Sequence, residues 1–400
     1  MDWKKELASF FKENEEFGVE LLRELVAQNT INPPGNEYLV ANVLKKYLDA
    51  EKISYVEFEK TKGRTNLIAT VGKGSPALFV PAHADVVPVN DDWTHNPFEM
   101  KIEDGVAYGR GVGDDKGPMV SAFLLLLFLK RHEAELKGTY IFGSVADEEV
   151  GSSEGLVYLL DEGLIKADYA VVPDTGTSIY QISHGEKGLV RFCYTFNGVA
   201  GHSAYPELSN SAIWPAWEFT GMIKEAFGER IGYCREPKQK YFSETTITVS
   251  GIEAFKAYNI VPRECQVKLD IRYTPQRKLS EIKGWLDECA KKACEKYQGT
   301  SFEVVMPDQM DAFEIETKNP LCRAASQATK ELTGKEAEFL GMNGTTVCKQ
   351  LVKAGILAIG YSSDDLHTCH MTGEHMKLSE IPLLGQALGL LFNNLCESPK

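Results

Sequence analysis

The spacing of apolar residues changes several times along the first 180 residues. Apolar positions between residues 3 and 28 recur every three or four residues, which predicts an amphipathic helix that Asn32-Pro33-Pro34-Gly35 interrupts. Short apolar runs bounded by turn residues predict strands, and longer runs predict helices. The strands fall at 67–71, 77–80, 139–145 and 169–172, and the further helices at 38–48, 117–129 and 155–162. This alternation predicts an α/β sheet with helices on both faces.

A different order of elements follows residue 185. The pattern predicts strand, helix, two strands, helix and strand, at 188–197, 211–227, 244–252, 263–273, 279–297 and 302–306. This βαββαβ order is typical of a small two-layer domain, and from about residue 318 the first pattern resumes. A chain of 400 residues also exceeds one compact core of ordinary size. We therefore predict a first domain of residues 1–183 and 306–400, into which a smaller domain of residues 184–305 is inserted.

Composition narrows the classes of partner and location. The chain has 43 Lys and Arg against 57 Asp and Glu, a net charge of -14 without any basic run, which argues against nucleic acid as a partner. The longest apolar block, residues 122–129, is less than half of a membrane span, and the N-terminus lacks the apolar run of a signal peptide. Nine cysteines without a Cys-x-x-Cys pair fit reduced thiols. We expect a cytoplasmic protein that binds neither nucleic acid nor membrane.

Acidic residues and histidines follow the ends of three predicted strands. His83-Ala84-Asp85 comes after strand 77–80, Asp147-Glu148-Glu149 after strand 139–145, and Asp174 after strand 169–172. Open α/β sheets place their sites at the carboxyl ends of strands. These segments are therefore expected to lie together.

A glycine-rich stretch, residues 109–117, carries Asp114 and Asp115 side by side. Two adjacent carboxylates with little room are a costly arrangement without a cation. Carboxylate oxygens and imidazoles suit zinc, or a related divalent metal such as cobalt or manganese, and one aspartate between glycines can use its two oxygens for two ions. The pattern predicts a two-metal amide hydrolase centred on Asp114.

Glu148 and Glu149 are neighbours in a loop and cannot point the same way. We assign Glu149 as a metal ligand and Glu148 as the general base that takes a proton from the attacking water. Asp85 stands two residues from His83, so its carboxylate can accept the second ring N–H and fix the tautomer of that histidine. A further histidine ligand is expected near the C-terminus, where spacing alone leaves His367, His370 and His375 open.

Two hypotheses from other classes compete with the metal hydrolase. Residues 151–155 fit the Gly-x-Ser-x-Gly elbow of serine hydrolases with Ser153 as nucleophile, and Asp174 and His370 follow in the right order. That elbow must turn directly from strand into helix, whereas here an acidic triplet intervenes. The second hypothesis is a non-catalytic relative, against which the complete ligand set argues. Dinucleotide binding is disfavoured because Gly-x-Gly-x-x-Gly is absent.

The motifs together resemble the di-zinc peptidase family of aminoacylase, acetylornithine deacetylase, succinyl-diaminopimelate desuccinylase and carboxypeptidase G, over essentially the whole chain. They are His-x-Asp at 83–85, Tyr-Gly-Arg-Gly-x-x-Asp-Asp-Lys-Gly at 108–117, Asp-Glu-Glu-x-Gly at 147–151, Asp174, Gly-His-Ser at 201–203 and His370-x-x-x-Glu374. The resemblance implies a di-zinc aminopeptidase-like catalytic domain, a mixed sheet flanked by helices. It also implies that the inserted βαββαβ domain is a lid that pairs with its copy in a homodimer.

The same resemblance implies a role for each site residue. Asp114 would bridge two Zn²⁺ ions, and its peptide bond to Asp115 would be cis. His83 and Asp174 would complete one of the two sites. Glu149 and His370 would complete the other, because the family's last ligand precedes a glutamate by four. His202 of one lid would reach the active site of the other subunit and polarise the scissile carbonyl. Contacts to the substrate would come from Arg272, Asn259, Gly344 and Thr345.

The implied reaction is hydrolysis of an amide bond next to a free carboxylate. We expect deacylation of an N-acyl amino acid, since a short lid leaves little protein to wrap a longer peptide; a dipeptidase or carboxypeptidase of the same family is the alternative. The chain departs from the family at Gly344-Thr345-Thr346, where Gly-Thr-Asp is common, which argues against a substrate whose amine needs that acid. His95, within Trp93-x-x-x-Pro97-Phe98, has no assigned role.

Overall fold

The computed structural model describes residues 1–175, 177–227, 240–363 and 368–397. The chain forms two compact units. The first comprises Met1–His184, Ile315–Leu340 and Thr346–Lys400, and the second comprises Gly185–Glu314 and Gly341–Thr345. The inserted unit therefore continues past the sequence-based boundary at residue 305, because the strand that begins at Ser301 runs on to Met310.

The α-helices of the described residues are, in chain order, α1 (Trp3–Glu13), α2 (Glu15–Val26), α3 (Tyr38–Ala50), α4 (Lys116–Arg131), α5 (Leu156–Asp161), α6 (Ile213–Phe227), α7 (Leu279–Lys296), α8 (Pro320–Thr333), α9 (Cys348–Lys353) and α10 (Glu380–Glu397). No described helix has the length and apolar character that crossing a membrane requires. The helix predicted over residues 3–28 is divided in two at Asn14, whose side-chain Nδ2 donates to the carbonyl of Phe10 at 2.7 Å.

The strands of the same residues are β1 (Tyr55–Glu59), β2 (Thr65–Gly72), β3 (Ala77–His83), β4 (Lys101–Glu103), β5 (Val106–Tyr108), β6 (Thr139–Val145), β7 (Tyr169–Val172), β8 (Gln181–Glu186), β9 (Gly188–Asn197), β10 (Gly201–His202), β11 (Thr246–Glu253), β12 (Ile260–Val261), β13 (Glu264–Tyr273), β14 (Ser301–Met310), β15 (Phe313–Glu314), β16 (Glu338–Met342), β17 (Leu357–Gly360) and β18 (His375–Lys377). The sheets that they form are described next.

The main sheet of the first unit is mixed and follows the order β1-β2-β6-β3-β7-β17-β8. Strand β3 runs parallel to both β6 and β7, while β1 and β2 are antiparallel to their neighbours. The carboxyl ends of β6, β3 and β7 therefore lie side by side at one edge. The predicted α/β fold with a mixed sheet is confirmed, and helix α4 packs against β2, β3 and β6.

Helix α4 begins directly after the glycine-rich stretch and is buried from Lys116 to Leu129. A helix that is apolar on all sides belongs in a core. Its burial fixes the position of the residues that precede it. A separate small sheet in the order β18-β5-β4 lies on the other flank of that stretch, with His375 paired to Tyr108.

The second unit is built on an antiparallel sheet in the order β11-β13-β9-β14. Strands β9 and β13 pair over their full length, from Gly188↔Tyr273 to Asn197↔Glu264. Side chains of β13 alternate between buried and half-buried positions, and the buried ones form one core with residues of α6 and α7. The predicted two-layer βαββαβ arrangement is present, with the short pair β10 and β12 added to it.

Candidate metal centre

The ends of three adjacent strands bring the predicted ligand segments together. His83 is the last residue of β3, the triplet Asp147–Glu149 follows β6, and Asp174 stands two residues after β7. Because these strands are neighbours in the sheet, the three segments meet at one edge. The sequence-based expectation of a site at this edge agrees with the structure.

Asp114 lies between two histidines and turns a different oxygen to each. His83 Nε2 is 2.8 Å from Asp114 Oδ1, and His370 Nε2 is 3.0 Å from Asp114 Oδ2. His370 Nε2 is also 3.1 Å from Glu149 Oε2, and His83 Nε2 is 4.0 Å from Asp174 Oδ2. Donor atoms on a tetrahedral zinc with bonds of about 2.0 Å lie about 3.3 Å apart. These spacings suit two ion sites that share Asp114.

The two glutamates of the triplet both lie within reach of this cluster. One set of mutually close ligand atoms, all within 4.8 Å, comes from His83, Glu148 and Asp174, and another comes from His83, Asp114 and Glu149. Distance to His83 therefore does not separate the roles of the glutamates. The contact of Glu149 with His370 does favour Glu149 as the ligand on that side.

Burial and crowding of negative charge dominate the electrostatics. Burial and the neighbouring Asp174 raise the pKa of Glu148 well above its ordinary value. Burial and Asp114 raise the pKa of Asp174 to about 7. The Asp114 and Glu149 carboxylates raise the pKa of His370 to about 10. Divalent cations would neutralise this excess charge, and carboxylate oxygens with imidazoles are suitable ligands, so the residues present fit two such ions.

The peptide bond between Asp114 and Asp115 is cis, which confirms the expectation from the family resemblance. Asp115 is fully buried. Its Oδ2 accepts the main-chain N–H of His83 at 3.1 Å. Asp115 therefore holds the end of β3 in place beside the glycine-rich stretch.

Asp85 makes different contacts from those the sequence predicts. His83 Nδ1 lies 3.0 Å from the main-chain oxygen of Asp85 and 3.6 Å from its carboxylate, so the main chain is the nearer acceptor. The carboxylate of Asp85 instead accepts the N–H groups of Glu148 at 3.0 Å and Glu149 at 3.2 Å. Its observed contacts hold the loop that carries both glutamates, because the turn after β6 brings those N–H groups within reach.

A buried polar network behind this loop was not predicted from the sequence. Asn32 Nδ2 donates to Asp85 at 2.8 Å and to Asp147 at 3.0 Å. Arg64 donates through Nε and Nη2 to both oxygens of Glu37, each at 2.8 Å, and through Nη2 to Asp147 at 2.8 Å. Asn32 could have been suspected from its place before two prolines, but no local pattern marks Arg64.

Of the two candidate histidines that the structure describes, His370 and not His375 contacts the cluster. His370 reaches Asp114 and Glu149, whereas the Nδ1 atom of His375 lies 3.0 Å from the carbonyl oxygen of Gly373. The third candidate, His367, lies outside the described residues. His95, which had no assigned role, packs its ring against Trp93 with centroids 5.6 Å apart.

The serine-hydrolase hypothesis is not supported by the backbone around Ser153. Residues 146–155 separate the end of β6 from the start of α5, so the strand does not turn directly into the helix. The Ser153 hydroxyl donates to Asp147 Oδ2 at 3.1 Å. This serine therefore belongs to the polar network of the loop.

The remaining predicted residues lie in the second unit, in two groups. Arg272 donates through Nε to Asp270 at 3.0 Å, and its Nη1 is 3.5 Å from Thr345 Oγ1. Gly344, which directly precedes Thr345, is half-buried. His202 is exposed on β10, where its Nδ1 accepts the Ala204 N–H at 3.1 Å. The exposed Asn259 accepts the N–H of the residue after His202 at 3.1 Å.

Comparison with known proteins gives consistent matches. Residues 79–394 match the model of peptidase family M20/M25/M40. The chain is 26% identical over 391 residues to succinyl-diaminopimelate desuccinylase 2 of Ruegeria sp. (strain TM1040), covering 94% of each. Its fold is similar to that of a tripeptidase from Staphylococcus aureus subsp. aureus Mu50, with a TM-score of 0.80 and 20% identity. The match covers 96% of this chain and 99% of the tripeptidase. The fold is also similar to that of a dinuclear metal binding peptidase of the M20 family from Bacillus subtilis. That match has a TM-score of 0.70 and 15% identity, and it covers 95% of this chain and 98% of the other.

The fold, the ligand cluster and these matches define a metal-dependent hydrolase that acts on amide or peptide bonds. The chain belongs to peptidase family M20/M25/M40. The family and the reaction class that the motifs predict are thereby confirmed. Members of this family are dinuclear metal enzymes, which agrees with the two histidines on opposite oxygens of Asp114.

Proposed function

We propose that the chain removes the acyl group from an N-acyl amino acid, as acetylornithine deacetylase and succinyl-diaminopimelate desuccinylase do. The observation that carries the hydrolytic part is the position of Asp114 between His83 and His370. The substrate class is supported by a relative that is named a desuccinylase and is covered over 94% of its length.

Two Zn²⁺ ions per chain, replaceable by Co²⁺ or Mn²⁺, are the proposed cofactors. His83 and Asp174 would hold one ion, Glu149 and His370 the other, and Asp114 both. When bound, the ions supply Lewis acidity toward the substrate carbonyl and the attacking water. The crowded carboxylates of this cluster supply the negative charge that such ions need.

Glu148 is the proposed general base. Its carboxylate is close to His83 and Asp174, and its main chain is held by Asp85. It would take the proton from the attacking water and pass that proton to the leaving amine. Asp85 would serve this step through the position of the loop, since its carboxylate bonds to the N–H groups of both glutamates.

Arg272 is the proposed anchor for the substrate's free carboxylate. A guanidinium binds a carboxylate through two parallel hydrogen bonds, which also fixes its orientation. Asp270 holds the Nε side of this guanidinium at 3.0 Å, so the Arg272 side chain is already oriented within the second unit. Asn259, Gly344 and Thr345 are proposed to complete the substrate contacts.

A cytoplasmic homodimer through the second unit completes the proposal. Helix α6 exposes Trp214 and Trp217 to 56% and 69%, an unusual exposure for tryptophan that favours an interface on this face. His202 of one subunit would then polarise the scissile carbonyl in the other. The described cysteines are all free, as expected of a reducing compartment.

The test is a comparison of initial rates in the presence of Zn²⁺ or Co²⁺. N-succinyl and N-acetyl amino acids are compared with unblocked dipeptides of the same side chain. The Glu148→Gln variant, purified in the same way, measures the background rate of hydrolysis. The proposal predicts faster cleavage of the acyl compounds and poor cleavage of their methyl esters, which lack the free carboxylate. Faster cleavage of the dipeptides would instead make the protein a dipeptidase.

A further inference from the structure

Glu374 is buried beside the metal centre without being one of its proposed ligands. It is 1% exposed and lies four residues after His370. Its Oε1 accepts the main-chain N–H groups of Gly111 at 3.0 Å, Gly113 at 3.2 Å and Asp114 at 3.3 Å. The glycine-rich stretch thus curls around one carboxylate oxygen that comes from a distant part of the chain.

Converging main-chain N–H groups form a concave site for an anion, and bonds to an ionised acceptor are stronger than neutral ones. Here the protein provides the anion itself. The N–H of Asp114 is one of the three donors, so the carboxylate of Glu374 acts directly on the backbone of the residue that both ion sites share.

The other oxygen of Glu374 pairs with a buried cation on the same stretch. Arg110 is 1% exposed, and its Nη1 donates to Glu374 Oε2 at 2.6 Å. The remaining surroundings of Arg110 are weak partners: the Pro88 carbonyl at 3.5 Å and the ring of Trp93, whose centroid is 5.5 Å away. Its Nε has no hydrogen-bond partner among the described residues. The glutamate therefore holds the stretch from two sides.

Glu374 also ties this stretch to the segment that carries His370. The main-chain oxygen of Glu374 accepts the N–H of Gly109 at 3.1 Å, and the next residue, His375, pairs with Tyr108. The His370 side chain is 55% exposed. Because so much of its ring is free of packing, its place opposite Asp114 depends on where its segment is anchored.

We propose that Glu374 is a positioning residue that fixes Asp114 and His370 relative to each other. Although Asp114 serves both sites, His370 belongs only to the site formed by Asp114, Glu149 and His370. Glu374 thereby sets chiefly the metal affinity of that site and affects the site of His83 and Asp174 much less. This inference rests on the metal-binding roles proposed above. Residues behind metal ligands typically change metal affinity by about 10–100-fold when they are replaced.

The experiment is a Co²⁺ titration of metal-free protein at pH 8, followed by visible absorption and calorimetry. Glu374→Ala is expected to keep one ion at nearly the affinity of the wild type and to bind the second about 10–100-fold more weakly. Raising free Co²⁺ should then restore turnover.

Two further variants separate positioning from folding. The double variant Arg110→Met with Glu374→Gln removes both buried charges and keeps an oxygen for the three N–H groups, so it should recover much of the lost affinity. Glu133→Ala is the matched control, since Glu133 also accepts a main-chain N–H, from Gly72, and pairs with Lys130, away from the ligands. It should leave both affinities unchanged.

The outcomes are distinguishable. If the wild type binds two ions and Glu374→Ala binds both as tightly while only its melting temperature falls, the role of Glu374 is structural and the inference is wrong. An equal loss at both sites would also contradict it. If the wild type itself binds fewer than two ions, the proposed metal-binding roles fail, and this inference fails with them.

Discussion

Glutamine in place of Glu148 separates proton transfer from metal binding. The substitution keeps the shape of the side chain and removes its ability to take a proton. General-base catalysis contributes about 10²–10⁴-fold to rate, which corresponds to about 3–6 kcal/mol of activation free energy at about 1.4 kcal/mol per tenfold. We expect kcat to fall by that factor with little change in KM, because Glu148 is not proposed to bind the substrate.

The structure also predicts what happens to the metal. Glu148 lies close to His83 and Asp174, but it is not one of the proposed ligands. Its replacement by glutamine leaves the proposed ligand set intact. Glu148→Gln should therefore retain two ions per chain. Glu149→Gln, by contrast, removes the carboxylate that lies 3.1 Å from His370 and should weaken the binding of one ion.

The assay is metal content by mass spectrometry after buffer exchange, together with initial rates at saturating substrate. Both variants carry the same chemical change at adjacent positions, so each controls for the other. The assignment is wrong if Glu148→Gln loses one ion while Glu149→Gln keeps both, because the roles would then be interchanged.

Further predictions concern the substrate contacts, the rejected nucleophile and pH. His202→Ala should lower kcat by about 10²–10³-fold, the effect of losing one donor to the developing oxyanion, with unchanged circular dichroism; an unchanged kcat would remove it from the site. Arg272→Lys keeps the charge but loses the planar fork, so KM should rise roughly tenfold; a shift in kcat alone would argue against an anchor. Ser153→Ala should retain activity, and a chelator should abolish the activity of the wild type. Loss of activity in Ser153→Ala together with resistance to chelators would instead support Ser153 as the nucleophile. Because neighbouring carboxylates raise the pKa of His370 to about 10, metal binding at neutral pH should release protons and tighten as pH rises; equal calorimetric heats in buffers of different ionisation enthalpy would contradict this.

Local sequence patterns predicted the elements that carry the site because strands and helices depend on nearby residues. Strand β9 coincides with the predicted strand at 188–197, and α7 differs from the predicted helix by one residue. The segments at the ends of β3, β6 and β7 could be grouped because parallel strands present their carboxyl ends together. The break at Asn14 was missed, since the apolar spacing continues across it.

Contacts between distant parts of the chain could not be predicted from local sequence patterns. The Arg110 and Glu374 side chains are 264 residues apart in sequence, and Arg64 and Asp147 are 83 apart. No periodicity links such pairs, because each partner alone resembles an ordinary surface charge. Spacing left the choice between His370 and its neighbouring histidines open for the same reason. The contacts of Asp85 could not be predicted because they depend on how the turn after β6 folds back.

The central claim is that two divalent ions share Asp114. Anomalous X-ray diffraction at the zinc edge, from crystals of the zinc-loaded protein, would test it most directly. We predict two peaks per chain, one adjacent to His83 and Asp174 and the other adjacent to Glu149 and His370, each within bonding distance of one Asp114 oxygen. A single peak, or two peaks of which one does not touch Asp114, would contradict the account.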